Sequence, residues 1–158
     1  MTMRRKDREV TDTGIIREII DACRILHVGL CDGKRPYVVP VNFGFEDDNG
    51  HFTFYFHGAA EGRKISLIRE NGYAAVEGEC DHGTQSHETA CGHTEFFQSF
   101  IAEGKAEEIL DSAEKKRILQ LIMSRYTDRS DWEFPDAAVK ATAVVRIRAE
   151  QLSVKQNG

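Results

Sequence analysis

The stretch from Phe52 to Asn71 constrains the chain most, because its apolar period changes within a few residues. Phe52, Phe54 and Phe56 alternate with Thr53, Tyr55 and His57, the period-two pattern of a strand buried on one face. Gly58-Ala59-Ala60-Glu61-Gly62 then breaks the run, and Ile65, Leu67 and Ile68 open a helical face behind Arg63 and Lys64. Asn71-Gly72 closes that helix with residues that tolerate the left-handed conformation. A small-residue turn feeding a helix leaves N–H groups free at the positive end of the helix dipole. Two cations at the same point make a candidate phosphate site. The alternative is a strand-to-helix connection with a solvated Arg-Lys pair.

Around this unit the pattern is mainly β with peripheral helices. Thr11, Asp12 and Thr13 can cap a first helix whose apolar face is Ile15, Ile16, Ile19, Ile20 and Cys23. A strand from Ile25 to Cys31 leads through Asp32-Gly33, a hairpin signal, into a returning strand from Pro36 to Phe45. Pro40 inside that strand cannot donate to a ladder, so it marks an edge, a bulge or an opening. Asp47 to Gly50 forms a further turn, Tyr73 to Glu79 another strand, and Thr94 to Ile109 a long strand with a bulge expected at Gly104-Lys105. Asp111 with Glu114 forms a capping box for a helix running to about Tyr126. Thr142 to Val154 closes the sheet. Six to seven strands joined mostly by hairpins, with about three helices, predict a closed antiparallel barrel.

Length and composition fit one domain over residues 1–158, with a charged arm at 1–10 and a tail at 155–158 expected to fray. No apolar run reaches the roughly 20 residues that span a bilayer, and no signal-like segment opens the chain. A cytoplasmic protein without a membrane partner is therefore expected. The net charge of −5 argues against a general nucleic-acid binder. Cys23 and Cys31 read as buried small hydrophobes. Cys80, His82, His87, Cys91 and His93 gather sulfur and imidazole in one polar stretch, yet lack a Cys-x-x-Cys pair. No metal ligand is assigned, and a zinc-stabilised binding module built on Cys80–His93 stays as an alternative. Lys115, Lys116 and Arg117 read as a solvated helix face.

Taken in order, several motifs resemble those of the flavin-binding split barrels related to pyridoxamine 5′-phosphate oxidase, and within them the 5-nitroimidazole reductase group. They are Met3 to Glu9, Arg35-Pro36-Tyr37-Val38-Val39-Pro40-Val41-Asn42-Phe43, His57 to Lys64, Phe97-Gln98-Ser99-Phe100 with Gly104-Lys105-Ala106, and Ala143 to Ile147. The resemblance implies a split β-barrel and a homodimer with flavin mononucleotide (FMN) in a cleft shared by two subunits. By the same resemblance Arg63 and Lys64 hold the phosphate, and Gly58, Ala59 and Gly62 form the close-approach turn. Val39, Pro40, Val41 and Asn42 run beside the ring, and His57 lies near it as the candidate catalytic residue. Gln98 and Ser99 face the cofactor from the long strand, and Trp132 approaches from the partner. Phe97 stands where many relatives have tyrosine, and Phe100 where valine is more usual.

A phosphate dianion needs charge-assisted donors, which Arg63 and Lys64 supply. His57 can tune the ring or pass a proton; otherwise it is a strand-end histidine bonded to backbone. The expected function is an FMN-dependent oxidoreductase reducing a small electrophile such as a nitroaromatic. The alternatives are a flavin-storage protein without turnover and the metal-stabilised module.

Overall fold

The computed structural model describes residues 3–158. A single 3-10 turn, Lys6–Arg8, leads into β1 (Glu9–Val10) and α1 (Thr13–Ala22). There follow β2 (Leu26–Asp32), β3 (Arg35–Val41), β4 (Phe43–Asp48), β5 (His51–Ala59) and α2 (Arg63–Asn71). The chain ends with β6 (Tyr73–Gln85), a 3-10 turn at Ala90–Gly92, β7 (Thr94–Ile109), α3 (Ser112–Tyr126), α4 (Asp136–Lys140) and β8 (Thr142–Asn157). All pairings are antiparallel, in the order β3-β2-β6-β7-β8-β5-β4, with β1 added to β8. The sheet curls into a split β-barrel whose two edge strands, β3 and β4, are joined only by Asn42.

The alternation seen in the sequence builds the interior. Phe43, Phe54, Phe56 and Phe100 are fully buried, and the Phe54 and Phe100 rings stack with centroids 5.3 Å apart. Burying each such side chain contributes about 1.5–3 kcal/mol. From α1, Ile19, Ile20 and Cys23 join this interior, and from α2, Ile65, Leu67 and Ile68 do the same. A second apolar layer lies outside the sheet, where α3 and α4 cover Tyr55, Ile109 and Val144 with Ile118, Ile122 and Val139.

The turn chemistry sits where expected. The Asp12 side chain accepts from the Ile15 N–H, and Asp111 from the Glu114 N–H. Gly33 and Gly72 adopt positive φ at their hairpin and helix end. The sheet slips register between Glu103 and Gly104, the bulge expected there. Five expectations need correction, the first being Cys31, which is exposed rather than buried because it lies near the hairpin tip on the face of β2 opposite buried Leu30. The Pro36–Phe45 run is two strands, because Asn42 leaves β3 and starts β4 on the other side of the split. The arm is docked at its end, where buried Val10 pairs with Val154. Lys155 to Asn157 are not frayed, since β7 pairs with β8 as far as Phe97↔Asn157. Lys115 is buried rather than solvated, its Nζ donating to the Thr142 carbonyl at 2.8 Å. The short α4 was not foreseen, and Met1 and Thr2 of the expected arm lie outside the described residues.

Candidate functional site

The turn between β5 and α2 is a small-residue connection into an uncapped helix. Gly62 occupies the cap position of α2 at φ +134°, a conformation that side chains resist, and no side chain caps the helix. Its carbonyl takes the Ile65 and Ser66 N–H groups at 3.1 Å. The first-turn N–H groups ahead of these face outward at the positive helix end. The Lys64 side chain folds back over β5. A Cβ placed on Gly58 would lie 2.7 Å from Lys64 Cε and 2.9 Å from Nζ. Lys64 Nζ also stands 5.9 Å from the centre of the Phe56 ring.

Arg63 is held by two groups that the sequence did not flag. Its guanidinium lies 4.3 Å from the centre of the Tyr37 ring, and its Nε and Nη2 donate to Asp32 Oδ2 at 3.1 and 2.6 Å. Three of its five donors point elsewhere. Since both partners of this ion pair are about half exposed, the pair adds little stability and mainly orients the fork. Beside Tyr37 lies an apolar concavity of about 450 Å³ lined by Gly29, Tyr37, Val38, Asn71, Tyr73 and Ala75. A larger hollow of about 870 Å³ sits elsewhere, between α1, β4 and α3. Its Glu18, Asp21, Glu46, Asp47 and Asp48 outnumber Arg17 and Arg125, so it suits a phosphate poorly.

His57 lies on the outer face of β5, next to Gly58 in the chain and opposite Val144. Its surface remains substantially open, yet protein crowds the imidazole. Burial, with the Lys64 charge behind it, lowers its pKa below the ordinary imidazole value. In the free protein it is therefore neutral near pH 7, a hydrogen-bonding group rather than a ready proton donor. Asn42 precedes the Phe43↔Phe56 pair, so it stands at the end of β4 nearest His57. Val39 and Val41 turn toward the interior, while Pro40 and Asn42 are exposed. The edge position of β3, paired to β2 alone, is what Pro40 required.

Within the single chain the other expected residues stand apart. Gln98 pairs with Gln156, whereas His57 pairs with Val144, twelve residues back along β8. That is roughly 40 Å of strand contour. Gln98 makes hydrogen bonds with His82 and Gln156, and Ser99 faces the opposite side of the sheet. Trp132 packs on its own α3, its ring N–H donating to Thr127 Oγ1 and its backbone N–H to Gln120 Oε1. The Cys80–His93 residues do not converge. Cys80 contacts Cys23 at 3.5 Å, His82 turns to Gln98, and His87 and His93 both bond to Thr89. The metal-module alternative loses its ligand set, and all four cysteines are free thiols. Among the described residues no helix is long and apolar enough to cross a membrane.

Comparison with known proteins agrees with this architecture. The sequence profile of the pyridoxamine 5′-phosphate oxidase family matches residues 12–156, and the chain belongs to that family. It is similar to a candidate 5-nitroimidazole antibiotic resistance protein from Bacteroides thetaiotaomicron. The two are 31% identical over 94% of this chain and 86% of the other, with a TM-score of 0.80. The flavocytochrome Anf3 from Azotobacter vinelandii shares the fold at 24% identity and TM-score 0.86, over 99% of this chain and 72% of the other. An FAD- and heme-binding protein from Mycobacterium smegmatis does so at 18% identity and TM-score 0.80, over 95% and 73%. The comparison with curated proteins gave no match.

Proposed function

We propose that this chain is a flavin-dependent oxidoreductase that binds FMN and reduces a small electrophile of the nitroaromatic kind. The observation that carries the reading is the conjunction of Gly58, Lys64 and Arg63. Two consecutive cations open an uncapped helix, Arg63 oriented by Asp32 and Tyr37 and Lys64 lying over the space that Gly58 leaves free. A terminal phosphate fits that donor set. When bound, the flavin supplies two-electron chemistry. The residues position it: Arg63 and Lys64 hold the phosphate, Pro40 and Asn42 offer the backbone of an edge strand, and His57 offers a neutral imidazole. Membership of the oxidase family and likeness to flavin-binding and nitroimidazole-resistance proteins support this.

A homodimer belongs to the same proposal. Gln98 points to the opposite face of β7 from Ser99, and Ser99 lies so far along the sheet from His57 that one protomer cannot bring both Ser99 and His57 to one flavin. Two copies sharing a cleft can. The outer face of β3, β6 and β7 exposes Val38, Tyr73 and Ile101, apolar side chains suited to such an interface.

The test is anaerobic. Reduced nicotinamide should bleach the bound flavin, and a nitroaromatic should restore its colour. A protein that binds FMN but cannot be reduced and reoxidised in this way is a carrier, not an enzyme.

A further inference from the structure

His27 on β2 and Glu77 on β6 are direct cross-strand partners, and Glu79 follows two residues along on the same face. His27 Nδ1 lies 3.0 Å from Glu77 Oε2 and 3.6 Å from Glu79 Oε2, and one ligand atom from each residue falls within 4.8 Å of the others. In the single chain the three side chains are between about a third and just over a half exposed, so an ion reaches them before the proposed dimer face closes.

We propose that His27, Glu77 and Glu79 form a binding site for a first-row divalent metal ion of the zinc class. The geometry needs little change. Ligand bonds of about 2.1 Å at tetrahedral angles place donor atoms about 3.4 Å apart, close to the two distances from His27. Neighbouring positions on a paired antiparallel sheet hold the ligands in place beforehand. The donor set selects the ion: one imidazole with two carboxylates suits zinc, manganese, cobalt or iron(II) over magnesium and calcium, which take oxygen alone. Three protein ligands leave coordination positions open to water.

The charge pattern points the same way. Glu77 and Glu79 are salt-bridged to His27 alone among the described residues, so two carboxylates share one imidazole. A divalent ion supplies the positive charge that this pair lacks. The titration needs no flavin, but the site shares its sheet face with Ile101, opposite Glu77, Pro40, opposite His27, and Ser99, opposite Glu79, so it borders the proposed dimer interface and cofactor cleft.

The experiment titrates full-length protein, stripped with chelator and kept reduced, with Zn²⁺ by calorimetry and with Co²⁺ by absorbance. About one equivalent per chain should bind, with nitrogen and oxygen ligand-field bands and no thiolate charge-transfer band; Mg²⁺ should not compete. His27→Ala and Glu77→Gln should each weaken binding at least tenfold, while Cys31→Ser with Cys91→Ser leaves it unchanged. Glu79→Gln, at the most exposed of the three, serves if either variant loses its circular dichroism. Absence of saturable one-equivalent binding overturns the proposal. So does binding that ignores the three ligand substitutions, or a thiolate band.

Discussion

The ammonium of Lys64 lies across Gly58, so near that a β-carbon on Gly58 would stand 2.9 Å from Nζ. The relationship couples the end of a strand to the start of the next helix. It explains why a glycine follows His57: any side chain would displace the cation that the proposed phosphate site uses.

Gly58→Ala should therefore separate binding from stability. The displaced atoms are the far end of a flexible side chain, so the fold gives way at about 0.5 kcal/mol or less. FMN affinity should fall about tenfold or more, equivalent to about 1.4 kcal/mol. Calorimetry beside a thermal melt checks both; equal affinity in the variant would remove Lys64 from the phosphate site.

His57 should make stability pH-dependent. Its folded pKa is lowered, while the unfolded chain titrates at about 6.5. Below that value the unfolded chain holds more protons, so stability falls as pH drops from 6.5 through the folded value. Glu77 works the other way in a lower window: its folded value is raised from 4.5, and its stabilisation fades as pH rises above that. Urea titrations from pH 7 to 5 on wild type and His57→Gln should show the steeper loss in the wild type. Bound phosphate should offset the Lys64 charge and move the His57 titration upward, as nuclear magnetic resonance can read directly.

Lys115→Met should cost about 1–3 kcal/mol, since it leaves the buried Thr142 carbonyl without its donor. The corresponding change at exposed Lys116, which pairs with Asp136 at the surface, should cost about 0–1 kcal/mol. Denaturant midpoints at constant slope make the comparison.

Gly104→Ala should be severe, at about 3 kcal/mol or more, because a β-carbon there would overlap the Arg148 carbonyl across the bulge. Backbone, unlike the Lys64 chain, cannot step aside. The variant should express poorly or melt far below wild type.

What the sequence made legible was local. Asp32-Gly33, Asn71-Gly72, Gly104 and the alternating phenylalanines each act through their own backbone or immediate neighbours, and each lies where expected. The turn from Gly58 to Lys64 is likewise one short segment, and its geometry, a glycine turn into an uncapped helix, was legible in the same way. The misreadings came from distance along the chain. Lys115 looks solvated until Thr142 is folded beside it, and Asp32 and Tyr37 look incidental until α2 brings Arg63 to them. The Glu77 and Glu79 spacing puts two carboxylates on one face, but nothing local says that His27 lies opposite. The break at Asn42 is likewise decided by the partner strands.

The most direct measurement is FMN binding by the purified protein, followed by its flavin absorbance and by calorimetry. Wild type should carry or take up about one FMN per chain, and Arg63→Ala with Lys64→Ala should remain folded and colourless. A colourless wild type that releases no heat with FMN, or a double variant that keeps its full flavin, would contradict the phosphate site.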